Sequence, residues 1–212
     1  MRQDSMIQTE RMVVRPIRPG DRDAFVRFEE ASVHLHAPWQ PIPPAGLDFG
    51  GLFDRALERM KHNRAARKPT DYRMIGVDES GAILGVFNLS QICWEPFCSA
   101  VAGWRVHAEW TGQGLATEGV NALLDFAFAP PPHGLGLHRV QAGIIPTNAP
   151  SIRVAHKTGF RREGYCPRYL KIAGQWQDHI LFAKLADEHT FHYLEDEDSS
   201  EAASDANASP SK

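Results

Sequence analysis

Long apolar runs are missing from this chain of 212 residues. Without a stretch of about 18 apolar residues, no transmembrane helix is expected. Cysteine is scarce: Cys93, Cys98 and Cys166 are the only three. Their number is odd and they form no C-x-x-C pair, which disfavours a disulfide framework or a zinc knuckle and suits a reducing, cytoplasmic setting. No Cys-His-acid set is discernible, so none of the thiols is expected to act as a nucleophile. The opening MRQDSMIQTERM lacks an apolar h-region, so no secretory leader is expected. A strong charge of one sign is missing too. The net charge is -3, and from Asp187 onward eight acidic residues and one Lys give a local -7, leaving +4 on residues 1–186. That field is too weak to argue for nucleic-acid binding, yet it suits an acidic or phosphorylated ligand. The closing EDEDSSEAASDANASPSK has no aromatic residue and little to bury. Residues 187–212 are therefore expected to be an acidic disordered tail behind a single domain, residues 1–186.

What is present is an ordinary globular composition, 42% hydrophobic and 23% charged. Arg11 to Ile17 reads as a strand, restricted to an edge or an end by Pro16. A short helix is expected over DAFVRFEEA and a loop over the Pro-rich HAPWQPIPPAG. A second helix is expected from about Asp48 to Arg67, with Leu52, Phe53, Leu57 and Met60 on one face. Strands follow at Asp71 to Val77, Ala82 to Gln91 and Ser99 to His107. Leu115 to Ala129 is a helix stopped by three prolines. Leu137 to Ile144 is a strand, and Asn148 to Thr158 a helix closed by Gly159. Two strands, about Tyr165 to Ile172 and Trp176 to Leu185, flank Ala173-Gly174. The order β, α, α, three β, α, β, α, β, β is an α/β pattern with a mixed sheet.

Two strand-to-helix junctions carry chemistry. In WTGQGLATE, Gly112 and Gly114 let the backbone turn tightly just before a helix whose first N–H groups and dipole can hold a pyrophosphate without a lysine. A Walker sequence is absent, and a dinucleotide G-x-G-x-x-G would need glycine where Thr117 stands. The second junction is PTNAPS. Read plainly, Asn148 caps the helix, Pro150 sits in its first turn and Ser151 is a further polar residue there.

The segments RMVVRPIRPGDRDAF, HAPWQP, AGWRVHAEWTGQGLATEGV, LHRVQAGIIPTNAPSIRVAHKTGFRREGY and YLKIAGQWQDHILFAKL, in this order, resemble the RimJ/RimL branch of the GNAT acetyltransferases. The likeness spans most of residues 10–186. It implies a GNAT fold of the α/β class: a mixed, mostly antiparallel central sheet, with helices on both faces and a V-shaped splay between two parallel strands, here Ser99 to His107 and Leu137 to Ile144. It implies acetyl-CoA as cosubstrate, with no metal. The pantetheine arm would pair with the free edge near Trp104, Arg105, Val106 and His107, and Gln113, Gly114, Leu115, Ala116 and Thr117 would hold the pyrophosphate. Asn148 matches a cofactor contact, and Ser151 the serine near the sulfur.

The reaction so implied is direct attack of a neutral amine on the thioester through a tetrahedral intermediate. Backbone N–H groups near Val106 are candidate oxyanion donors, and Ser151 a donor to the departing sulfur. An α-amine, with a pKa of about 7.7–8.0, is partly neutral at pH 7, whereas a lysine amine near about 10.4 is not. The favoured acceptor is accordingly a protein N-terminus of the ribosomal-protein-alanine type. A small amine (antibiotic, polyamine or amino acid) is the alternative, and a non-catalytic acyl-CoA-binding module a further one. Glu95 and Glu109 are candidate bases, with His107 behind them. The base glutamate proposed for RimL-type enzymes falls on Leu170 here and is not carried over. Trp39 and His107 are expected at the acceptor cleft. His34 and His36 alternate like a metal pair, but no third ligand is placed beside them. Trp176 and Asp178 look like motif residues of the last strand; the plainer reading is core and hydrogen-bonding structure, and it is favoured for Trp176. No membrane or nucleic-acid partner is expected, and the chain would be a monomer or homodimer.

Overall fold

The computed structural model describes residues 6–194 apart from Arg67. Residues 1–5, the last position expected in the second helix, and the segment 195–212 expected to be disordered lie outside the described residues. Eight strands form one sheet in the order β1-β2-β3-β4-β5-β6-β8-β7. In chain order they are β1 (Ile7–Gln8), β2 (Val13–Pro16), β3 (Tyr72–Val77), β4 (Ile83–Cys93), β5 (Ser99–Val106), β6 (Arg139–Ile144), β7 (Arg161–Ile172) and β8 (Gln175–Leu185). Every neighbouring pair is antiparallel except β5 and β6. The helices are α1 (Arg22–His36), α2 (Phe49–Ala65), α3 (Leu115–Phe128) and α4 (Ala149–Lys157). Among the described residues no helix is long and apolar enough to cross a membrane.

The helices occupy both faces. Arg105 and Trp104 alternate on β5 and so point to opposite sides. Arg105 meets Glu29 of α1 at 2.7 Å, which puts α1 on its side, and the Phe25 and Phe53 rings, 5.3 Å apart, join α1 to α2. Trp104 shares the other face with its β4 neighbour Phe87, and there α3 packs. This helix is apolar nearly all round, with Val120, Ala122, Leu123, Leu124, Phe126 and Ala127 all buried, as a central helix must be. Gly119 is what lets it lie so close: a Cβ there would stand 1.9 Å from the Phe87 ring.

Two expectations are corrected. α1 is longer than DAFVRFEEA and takes in His34 and His36, because its buried face continues past Phe28 through Glu29, Ser32 and His36, which bond to the Arg105–Ala108 stretch. The ordered body also extends beyond residue 186. Asp125 of α3, fully buried, accepts from His189 Nε2 at 2.7 Å and from the backbone N–H groups of His192, Tyr193 and Leu194 at 3.0, 2.6 and 3.2 Å. Phe191, Tyr193 and Leu194 pack on the core. Residues 187–194 are thus tied down by one carboxylate. Asp125, His189 and His192 are also close enough to share a metal ion, but the carboxylate is already used by these four donors.

Candidate active site

β5 and β6 are paired only at Ser99–Arg139, Ala100–Val140 and Val101–Gln141. Beyond Val101, β5 stays on β4 as far as Val106, and β6 stays on β8 as far as Ile144. The strands therefore part and leave a V. His107 N–H bonds to Leu84 O at 2.9 Å, so odd-numbered residues of this stretch turn their backbone groups to β4 and even-numbered ones to the V. Of the four residues expected to offer a free edge, Trp104 and Val106 do so, while Arg105 and His107 face β4. The Val106 carbonyl is taken by His36 Nε2 at 2.9 Å, which leaves the Val106 N–H as a donor aimed into the cleft. His36 is buried, and burial, with Arg105 nearby, pushes its pKa down to about 4. It is therefore neutral and donates through Nε2; its Nδ1 is buried without a partner. His34 is exposed, so the two histidines do not converge on a metal.

At the open end of β5 the chain turns through Ala108–Trp110 into the glycine loop. Gly112 and Gly114 have φ of 78° and 89°, a left-handed backbone that favours glycine. Gly114 caps α3 without any side-chain bond, and the first helical bond is Glu118 N–H to Gly114 O. The N–H groups of Leu115, Ala116 and Thr117 thus have no partner among the described residues and open toward solvent beside exposed Gln113. This cradle fits a diphosphate. Two residues that sequence reading missed hold it in place. Arg11 donates to Gln113 O at 2.7 Å, and buried Glu118 fixes Arg11 through its Nε and backbone N–H at 2.7 and 2.8 Å. No local pattern links residue 11 to residue 118.

Across the V, β6 leads into α4. Asn148 Oδ1 accepts from Ser151 N–H at 3.2 Å, the capping bond expected from PTNAPS. The Ser151 hydroxyl has no hydrogen-bond partner among the described residues and stands half-buried in the first turn.

The candidate bases separate. Glu95 is exposed in the β4–β5 turn. That is the closed end of the V, about 20 Å of strand from Val106 at about 3.3 Å per residue. Glu109 is exposed just past the open end. The Nδ1 of His107 accepts from Glu109 N–H at 3.3 Å, so its proton lies on Nε2. Sequence reading missed His179 on β8. It is buried, and its Nδ1 meets Gln177 O at 3.0 Å. A carbonyl can only accept, so Nδ1 carries a proton, and in the neutral ring Nε2 is the nitrogen that can accept one. A Cβ on Gly143 would lie 3.5 Å from His179 Cδ2 and 3.7 Å from Tyr169 Cε1. His179 and Tyr169 therefore stand over the β6 lip of the V. Asp178 beside it is bound to Tyr165 and to Arg168 N–H, and shapes the β7 bulge. Trp39, half-buried after α1, precedes Gln40, whose carbonyl accepts from Ala173 N–H at 2.9 Å. That bond ties the 37–46 loop to the β7–β8 tip. Trp176 and Leu170 are exposed.

The comparisons with known proteins point to one family. The Acetyltransferase (GNAT) domain family matches residues 11–161. Probable N-acetyltransferase YjcK of Bacillus subtilis is 38% identical over 181 residues, 85% of this chain and 97% of that protein. The [Ribosomal protein uS5]-alanine N-acetyltransferase of Escherichia coli is 27% identical over 177 residues, covering 84% and 89%. The structure of Mycobacterium smegmatis RimJ in complex with CoA-disulfide superimposes with a TM-score of 0.75 at 30% identity, over 88% of this chain and 90% of that one. With its fold, its V and its sequence in agreement, this chain belongs to the GNAT acetyltransferase family and is an acetyltransferase.

Proposed function

We propose that the enzyme transfers acetyl from acetyl-CoA to a protein N-terminal α-amine of the ribosomal-protein-alanine type, in the cytoplasm. The observation that carries the reading is the pairing of an uncapped N–H cradle at α3 with the unpaired Trp104–Val106 edge of β5. Together they suit a diphosphate at one end of the V and an extended pantetheine along it. Likeness over nearly the whole length to a ribosomal-protein-alanine acetyltransferase supports the choice of acceptor.

Acetyl-CoA supplies the activated thioester. Gln113, Gly114, Leu115, Ala116 and Thr117 hold its diphosphate, and Trp104 and Val106 orient the arm. The Val106 N–H is the donor for charge developing on the thioester oxygen. Ser151, its own N–H already held by Asn148, offers its hydroxyl to the sulfur. The acceptor enters from the α1/α2 face, between Trp39 and the β7–β8 tip. There His179 Nε2 is the base that takes the amine proton, and Glu109 at the mouth passes protons to water.

The test is release of free thiol from acetyl-CoA with peptides that begin in alanine or serine, the same peptides N-terminally blocked, and spermidine or free amino acids. Turnover of unblocked peptides is expected. Turnover confined to small amines, or binding of acetyl-CoA without turnover, overturns the acceptor assignment.

A further inference from the structure

Arg73 of β3, Asn88 of β4 and Gly103 of β5 are direct neighbours across three strands. They therefore stand in one row on one face of the sheet. It is the α1/α2 face, since Arg105, two residues beyond Gly103, points to Glu29 of α1. Each member of the row leaves something unmet. The Arg73 guanidinium has no carboxylate or hydrogen-bond partner among the described residues. Asn88 Oδ1 is buried without a partner. A Cβ on Gly103 would meet nothing within 4 Å, so there is room over β5 where the V begins. The charges do not balance either. Glu29 is bonded to Arg105, while Arg73 lies within reach of Arg105 and Arg59, with only Glu29 and Asp71 opposing. Arg73 keeps some contact with water, yet burial first and Arg105 second bring its pKa down to about 10. An enclosed cation without an anion is unfavourable, and a carboxylate from a ligand would relieve it.

We infer that Arg73 and Asn88 form an acceptor subsite for an acidic side chain, Arg73 binding the carboxylate and Asn88 Oδ1 accepting an N–H of the same peptide. The inference rests on the acceptor reading above. Strands lie about 4.8 Å apart, so the row reaches about 10 Å from β5 to β3. An extended peptide advances about 3.3 Å per residue. Three such steps cover the row, and Arg73, whose guanidinium lies within reach of Arg105 on β5, shortens the span, so that with its amine in the V the peptide presents its second or third residue to Arg73. The subsite thus selects N-termini with Glu or Asp at position two or three.

Calorimetric binding to the full chain with CoA present tests this without requiring turnover. The probes are Ala-Ala-Glu-, Ala-Ala-Gln- and Ala-Ala-Lys-peptides, and the same set with the variable residue second. A preference for Glu over Gln of about ten- to a hundredfold is expected, the size of a charge-assisted pair. Arg73→Gln removes the preference and Arg73→Lys keeps part of it. Asn88→Asp, which hands Arg73 an internal carboxylate and so favours folding, removes it as well. Equal affinities, or a preference that survives both Arg73→Gln and Asn88→Asp, overturns the inference. Peptides that bind with the Glu preference but are never acetylated uphold the subsite and refute the acceptor reading instead.

Discussion

The contact most open to quantitative test is Glu118, which joins the first turn of α3 to the N-terminal strands. Its carboxylate accepts from Thr9 Oγ1 at 2.5 Å, Arg11 N–H at 2.8 Å and Arg11 Nε at 2.7 Å, and pairs with Arg11 Nη2 at 2.6 Å. The Glu118 side chain is 5% exposed against 43% for Arg11, so the partners are not equally hurt by Glu118→Ala. Arg11 can rehydrate, and Thr9 can turn its single hydroxyl proton to Met12 O, 2.8 Å away. What is lost is a charged acceptor of several bonds and the packing of a buried side chain. Hydrogen bonds to charged groups contribute about 1.5–3 kcal/mol. After discounting the half-exposed arginine, the substitution is expected to cost about 2–4 kcal/mol. At about 2–4 °C per kcal/mol for a chain of this size, Tm falls by about 4–16 °C. A functional loss goes with it. Arg11 also holds Gln113 O, so releasing it loosens the loop beside the cradle and raises the KM for acetyl-CoA roughly tenfold, with a smaller effect on kcat. Urea unfolding and steady-state thiol release measure the two effects, and Glu118→Gln, which keeps the shape without the charge, should fall between. A midpoint and a KM both unchanged in Glu118→Ala would refute the bracing role.

Two further outcomes are expected. His179→Gln lowers kcat/KM, as loss of a base does, with little change in acetyl-CoA affinity, while Ser151→Ala lowers kcat with little change in acetyl-CoA affinity. Around His179, the Tyr169 ring lies 5.6 Å away centroid to centroid, Cys166 is its strand partner on β7 and Asp178 is its chain neighbour. An unaltered kcat/KM in His179→Gln removes this histidine from proton transfer, and an unaltered kcat in Ser151→Ala removes the serine. The second outcome concerns acid stability. The pKa of His36 is about 4 in the folded chain and about 6.5 when unfolded. The unfolded chain therefore takes up this proton first, and the contribution is complete above about pH 6.5 and lost progressively toward pH 4. The full shift corresponds to about 3 kcal/mol, reduced to about 1–2 for a ring not wholly removed from water. Urea midpoints of the wild type should fall more steeply over this window than those of His36→Gln, whose amide can still donate to Val106. Equal slopes would show that the ring is not held neutral.

What sequence reading captured is what short-range chemistry dictates. Gly112 and Gly114 must turn in the left-handed region, Asn148 must cap α4, and alternating or helical apolar spacing must give strands or helices. The V itself came through resemblance and not through any residue pattern. What escaped were pairings made across the fold: Arg11 with Glu118, His36 with Val106, Asp125 with the backbone of 192–194. Each joins partners more than 60 residues apart, and each satisfies a buried polar group that no local motif could serve. The two base candidates, Glu95 and His179, show why proximity in sequence misleads here. Glu95 stands four residues before β5, and for that reason it is fastened to the end of β5 where the V is still closed. His179 is more than 70 residues from β5. It reaches the open lip because β8 inserts between β6 and β7, which puts position 179 just past the end of β6. The base proposed above lies on the strand paired to the far lip, with its side chain on the α1/α2 face. Only the strand order, together with the parity of β6 and β8, tells which residue meets both conditions.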